Sequence, residues 1–375
     1  MRTGRWGASF GALVSLCVAL PPLALADATS VEGGPAPIVR ITLPTQANLT
    51  IRTWDRETVQ VDAEPGAVTV ERKMSRLIAA SPPVLIHMAK VQRGDSQIVL
   101  PAETFVVSGV APGDHDVVRV SLAQVHRQLG NVTVTIPNDS AALYASVDRG
   151  SINLRDYHGG TFIVHVRIGS AALQNVGGDG FIQVLQGTVQ ASDSAFDRLR
   201  VRMAIGNQIF QRCRSRQIEA WSAEGSVVYD AGTFDAGLAR FESTDGNVVI
   251  GVTGATQLVG RTGNGGGKVY TAFDRNTPVD ERDGEANANY AGGGPLVNAF
   301  SATGSVYLYD GGLAIKHKLP PEWHAALLAL RNDSSAAQLQ HRERDTFEDQ
   351  SNSMPFDTHQ ARRPHGTGGP SVLPH

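Results

Sequence analysis

The side chains able to do chemistry are present but scattered. Asp148, Asp156, Asp179, Asp193 and Asp197 are the first candidates, since glycoside hydrolysis needs two carboxylates roughly 5 to 9 Å apart across the bond to be broken. No spacing pairs them into such a site, and the favoured reading is acidic groups on solvated loops. Gly177-Gly178-Asp179-Gly180 has the composition of a calcium-binding Gly-Asp turn. Rolls of that kind need the turn and its aspartate in every repeat, so that each ion is shared between two coils, and here the tetrad occurs once. A plain tight turn, with no need for calcium, is the expectation. His115 between Asp114 and Asp116, and His158 after Asp156, are lone imidazoles with flanking carboxylates, which are more often solvated than metal-bound. His165 falls at an outward strand position, and His341, His359, His365 and His375 are too dispersed for a built site. Cys213 has no base near it in sequence and reads as a buried inert thiol. No catalytic residue, metal ligand or cofactor is therefore assigned.

The elements that would position these groups are set by glycine. Gly130, Gly150, Gly169, Gly187, Gly206, Gly225 and Gly246 follow one another at steps of 20, 19, 18, 19, 19 and 21 residues, and Gly304 repeats the pattern. Self-similarity at that period marks stacked repeats, each unable to bury its own apolar face. Seven, five and three residues before the glycines stand Leu143, Ala145 and Val147, then Phe162, Val164 and Val166, then Leu199, Val201 and Met203. Two and four residues after them stand Ile152 and Leu154, Val227 and Tyr229, Val248 and Ile250, while Gln208 breaks the pattern once. Alternation at period two means strands. The odd offset across each glycine demands a corner there. The expected fold is all-β, a right-handed parallel β-solenoid with about 18–21 residues per coil. About ten rungs at the interstrand spacing would give a length on the order of 45 Å. Between Gly267 and Gly304 the step is 37 residues, so either a degenerate rung around Gly284, with Ala286 and Ala288 inward, or a protruding loop is expected.

The ends read differently from the middle. Arg2 and Arg5, an apolar run from Ala8 to Leu25 broken by Pro21 and Pro22, and Ala24-Leu25-Ala26 form a secretory signal, with cleavage expected before Asp27. Cys17 would leave with it. After cleavage no stretch is long and apolar enough to span a membrane as a helix. The expected location is the periplasm or outside the cell. The expected organisation is residues 1–26 signal peptide, 27–130 an N-terminal β region with an irregular insert from Arg72 to Val125 acting as a cap, 131–315 the repeats, 316–331 a short helix or cap, and 332–375 a disordered tail. The 33 basic and 36 acidic residues nearly balance, with no basic block inside the repeats. Nucleic acid is thereby an unfavoured partner.

Arg52-Thr53-Trp54-Asp55 with Val59-Gln60-Val61, and Val132-Thr133-Val134-Thr135-Ile136-Pro137 followed by Leu143 and Gly150-Ser151-Ile152-Asn153-Leu154, together resemble the bacterial putative-adhesin family of secreted β-strand-repeat proteins, whose domain has no assigned function. The likeness spans about Val39 to Leu308. The long insert and long tail depart from the family pattern. The resemblance implies a right-handed β-solenoid and a surface or periplasmic location, and it carries over no catalytic residue. The reading is a non-enzymatic, secreted β-solenoid acting as an adhesin or a cell-envelope binding module, with an envelope or surface protein or glycan as partner. The alternatives are a polysaccharide-active β-helix lyase or hydrolase and a scaffold in envelope stress sensing. The Asn-Thr-Asp, Asp-Asp, Gly-His-Gly and Arg-Ile-Lys signatures of pectin-hydrolysing β-helices are absent.

Six residues before the glycines, the outward positions line up as Tyr144, Ile163 and Phe181, then Arg200, Glu219 and Arg240. The apolar three are a candidate contact strip if exposed. The insert covering them is the favoured arrangement. The same count places Val201 inward and Arg202 outward.

Overall fold

The computed structural model describes residues 29–312 except 78–82, 87, 94, 108–109, 111–112, 125–127 and 266. The expected signal peptide, the short helix or cap at 316–331 and the tail with its histidines lie outside them. Twenty-four strands make up the described elements. The chain opens with β1 (Thr29–Glu32), β2 (Ile38–Trp54), β3 (Thr58–Asp62) and β4 (Val68–Leu77). An insertion contributes β5 (Pro83–Ile86), β6 (Ala89–Arg93), β7 (Ser96–Leu100) and β8 (Glu103–Val106), and the chain returns through β9 (Gly113–Leu122) and β10 (Asn131–Pro137). The repeats follow as β11 (Ala142–Arg155), β12 (Thr161–Gln174), β13 (Gly177–Ser192), β14 (Ala195–Gln211), β15 (Arg214–Glu224), β16 (Val227–Phe234), β17 (Leu238–Asp245) and β18 (Val248–Val252). The last are β19 (Thr256–Thr262), β20 (Val269–Ala272), β21 (Val279–Arg282), β22 (Glu285–Tyr290), β23 (Leu296–Ser301) and β24 (Val306–Asp310).

All but β5–β8 belong to one open, twenty-stranded mixed sheet. Its pairing is parallel through the middle. Leu143 lies beside Phe162, Phe162 beside Gly180, Gly180 beside Leu199 and Leu199 beside Ile218. Those steps of 19, 18, 19 and 19 residues repeat the glycine spacing. The inward residues are buried with each layer's neighbours in one continuous core that runs from Val39 to Leu308. Alternation thus does here what it does in any half-buried strand, sending every second side chain to the core.

Glycine is required at the corner because the layers touch there. Gly169 has φ of 137°, and a Cβ on it would overlap the Gly150 carbonyl oxygen; Gly187, Gly206 and Gly225 repeat the contact one layer on. Ala47 occupies this column between Gly130 and Gly150, since Asn131 pairs with Asn48 and Gly150 with Ala47.

The layers do not follow chain order at the ends. From one end to the other they are β9 with β10, β2, β11, β12, β13, β14, β15 with β16, β17 with β18, β23 with β24, and β19 with β20. At each end, then, a strand nearer the chain terminus than the outermost layer slots into the second layer, β2 at one end and β23 with β24 at the other, where its edges are paired on both sides. The outermost layer comes from further inside the sequence. Beyond it β4 runs antiparallel to β9, and β22 runs antiparallel to β19 with β21 outside it. This corrects two expectations. The segment around Gly284 is neither a rung nor a loop but an antiparallel hairpin, with Ala286 and Ala288 buried against the last layer. The Arg72 to Val125 stretch is not irregular: it supplies an outer layer and two antiparallel ribbons, β5 with β8 and β6 with β7. Reversing direction on β9 and β19 removes the parallel template edge of those strands, which would otherwise invite further strands.

Candidate functional site

Strands stacked in register carry their outward side chains in straight rows. One row runs Arg119, Arg40, Tyr144, Ile163, Phe181, Arg200, Glu219 and Arg240 across successive layers. Its apolar stretch is not an open contact strip. Tyr144, Ile163 and Phe181 are 8%, 3% and 1% exposed, packed beneath Val84, Ile86, Phe105 and Val107 of the insertion. The Phe105 and Phe181 ring centroids lie 5.5 Å apart. Burial pushes the Tyr144 phenol up to about 12, against a smaller opposing pull from Arg40. An outward strip of such residues would otherwise leave apolar area in water, so the chain covers it with its own ribbon.

Where the apolar stretch ends, the insertion is fastened by charge. Nη2 of Arg198 donates to the Val106 carbonyl at 3.0 Å. Nε of Arg202 donates to Oε1 of Glu103 at 2.6 Å, and Nη1 of Arg200 to its Oε2 at 3.2 Å. The same two arginines reach Oε2 of Glu219, at 3.1 Å from Arg200 Nε and 3.4 Å from Arg202 Nη2. Two guanidinium groups and two carboxylates therefore close a ring that joins β8 to β14 and β15.

Beside this ring a cleft of about 330 Å³ opens between the insertion and the sheet, lined by Pro101, Glu103, Arg202, Glu219, Trp221 and Glu242 among others. Trp221 stands in the next outward row, between Arg202 and Glu242. Its indole also packs against the cluster formed by the β6–β7 ribbon, Leu185, Ala204 and Ile205. Arg240 Nε donates to Oε1 of Glu242 at 2.6 Å. Every lining group on the sheet side comes from a strand paired on both edges, so the backbone beneath the cleft is held in place.

The scattered aspartates mostly find partners one layer away. Asp148 meets Arg167, Asp179 meets Arg198, Asp193 meets Arg212 and Asp197 meets Arg216, while Asp156 accepts from Asn175. His115 lies in β9 opposite Ser75, and His165 shares a contact with Ser146 at 3.5 Å. Among the described residues no three His, Cys, Asp or Glu side chains converge on a metal position. The Gly177–Gly180 tetrad is not a tight turn but the bulged start of β13, where Gly180 leaves room for the ring of Phe162. Cys213 is buried, and that burial raises its thiol to about 11. No helix among the described residues is long and apolar enough to cross a membrane, which says nothing of strands.

Sequence reasoning found Arg200, Glu219 and Arg240 as one row but missed Glu103, Trp221 and Glu242. The row four residues before each glycine, which holds Arg202, Trp221 and Glu242, was legible by the same count. Glu103 was not, because no period runs through the insertion.

No protein-family profile matches the chain, and no curated protein does. Among solved structures, the crystal structure of a "putative cell adhesion protein" from Clostridium sporogenes aligns with 76% of this chain and 98% of its own, at 7% sequence identity and a TM-score of 0.24.

Proposed function

We propose that this chain is a secreted, non-enzymatic β-solenoid that acts as an adhesion or binding module of a bacterial cell envelope. The observation that carries the reading is the cleft beside Trp221: a preformed, charge-balanced surface set on strands of the parallel stack, lined by groups already paired with one another. Parallel crossovers are right-handed almost without exception, so the winding is assigned that hand. Glu103 and Glu219 are tied to the same two arginines. That role as bridging acceptors fits binding better than a carboxylate pair flanking a scissile bond does. The signal-like N-terminus supports export to the periplasm or the surface, and the partner is an envelope or surface protein or glycan.

The test is to present the purified mature chain to an array of envelope proteins and glycans and to analyse the retained ligands for cleavage. Retention without product is expected. Turnover of a retained polysaccharide would establish the lyase or hydrolase alternative, and an array without retention would remove the binding reading.

A further inference from the structure

We infer that the cleft between the insertion and the sheet is a subsite for an uncharged saccharide, stacked on Trp221 and held through its hydroxyls by Glu219, Glu242 and Arg240. The inference rests on the binding-module reading above and names its ligand class.

Charge comes first. Counting Arg200 of the adjoining ring, three guanidinium groups (Arg200, Arg202, Arg240) stand among three carboxylates (Glu103, Glu219, Glu242). A site with that balance gives no net attraction to a polyanion or a polycation, which would each meet as many like charges as opposite ones.

The remaining hydrogen-bonding capacity is mixed in the same way. Both pairs onto Glu219 fall on its Oε2, and the pair onto Glu242 falls on its Oε1 through Nε of Arg240. Among the described residues this leaves one acceptor oxygen on each glutamate and the two terminal nitrogens of Arg240 for a ligand. Acceptors and donors placed side by side suit a group that donates and accepts at once, which is a hydroxyl. A pyranose carries several hydroxyls around its rim and an apolar C–H face. Trp221 supplies the flat aromatic surface for that face, with the other side of its environment packed against the insertion.

Size and setting agree. A cleft of about 330 Å³ sits at the small end of ligand pockets, which run roughly 300–1,000 Å³, and holds a one- or two-ring ligand. An extended peptide is the less suitable occupant, because strand-like recognition needs a free backbone edge. On the sheet side the lining strands β14, β15 and β17 have their edges paired within the stack.

The experiment is calorimetric titration of the full mature chain with uncharged hexasaccharides (cellohexaose, mannohexaose, maltohexaose and N-acetylated chitohexaose), with hexagalacturonate as the anionic counterpart. At least one uncharged probe should bind and hexagalacturonate should not. Trp221→Ala should weaken that binding by about tenfold or more, as expected for a central aromatic anchor, while Trp221→Phe keeps most of it. Glu242→Gln, a change at a half-buried rim that leaves the core alone, should also weaken it and serves if Trp221→Ala does not fold by circular dichroism. Silence of every uncharged probe, equal binding of hexagalacturonate, unchanged affinity in a folded Trp221→Ala, or, where that variant does not fold, unchanged affinity in Glu242→Gln would overturn the inference. If the chain then still retains an envelope protein on the array, the saccharide assignment alone has failed. If the array is silent as well, the module reading has failed with it.

Discussion

Two halves of one outward row do opposite things. Tyr144, Ile163 and Phe181 form its apolar half and are sealed under the β5–β8 ribbon. Arg200, Glu219 and Arg240 continue the same row, in the same register, at the edge of an open cleft. The backbone of the two halves is the same, so the difference lies in what the insertion brings to each. Over the first half it brings Val84, Ile86 and Phe105, and over the junction it brings Glu103 to meet Arg200 and Arg202. A stacked sheet thus offers a neutral rail of outward positions, and local chemistry divides that rail into a docking surface for the chain itself and a stretch that borders an open cleft.

The largest effect should come from breaking the alternation on which both halves depend. Val201 is 0% exposed, in the common core, and Arg202 beside it has a side chain 20% exposed. Val201→Asp removes an apolar contact and buries an unpartnered carboxylate, for a loss of about 4 kcal/mol. A denaturant midpoint shift measures it. A value below that of Arg202→Asp would mean that inward and outward positions are exchanged.

The covered half comes next. Phe181→Ala should cost about 3 kcal/mol, as for any fully buried aromatic whose cavity cannot collapse. It should also make the insertion easier to cleave by protease, because the ribbon loses its Phe105 contact. Native stability with unchanged proteolysis would show that the ribbon is held elsewhere.

Arg202→Asp sharpens the comparison from the other side. Position 202 alone, read as solvated surface, would carry a cost under about 1 kcal/mol. The ion pairs to Glu103 and Glu219 change that expectation, since the variant sets a third carboxylate between two others. A loss of about 2 kcal/mol is expected, reversed in large part by Glu103→Lys in the same chain, which restores one attractive pair. The double variant also reports whether β8 is fastened there.

The first corner was legible through the repeats because only glycine fits it there: from Gly150 to Gly246 the neighbouring layer's carbonyl lies where a Cβ would stand. The second corner was not. Asp156, Asn175, Asp193, Arg212 and Ala231 all take φ between 50° and 55°, each six residues after its glycine. The sequence shows four residue types there, because space is open and the left-handed conformation is merely easiest for Asn and Asp. The order of the end layers was hidden for another reason. Gly304 stacks on Gly246, and Gly267 on Gly304, so spacing along the chain ceases to report position in the stack once a layer is inserted. Only the cross-strand register can reveal that, and register is set by which edges remain unpaired. The same limit hid half of the cleft: Trp221 and Glu242 follow from the period, while Glu103 comes from a segment that has none.

The smallest expected effect isolates one charge at that second corner. Asp193 and Arg212 meet through two hydrogen bonds, at 2.6 and 2.8 Å, with side chains 47% and 58% exposed. Hydrogen bonding from Arg212 holds the Asp193 carboxyl below its ordinary value of 3.8. Its folded-state acidity is thus the greater, so its contribution is present above that ordinary value and lost as pH falls through the depressed one. Asp193→Asn keeps the left-handed corner, as Asn175 does one layer away, and removes only the charge. At neutral pH the variant should be less stable by under about 0.5 kcal/mol, given the exposure of both partners. Urea midpoints taken down the acid limb should converge as the parent's carboxyl protonates. A gap that stayed the same as pH fell would assign the corner's stability to the backbone conformation and not to the ion pair.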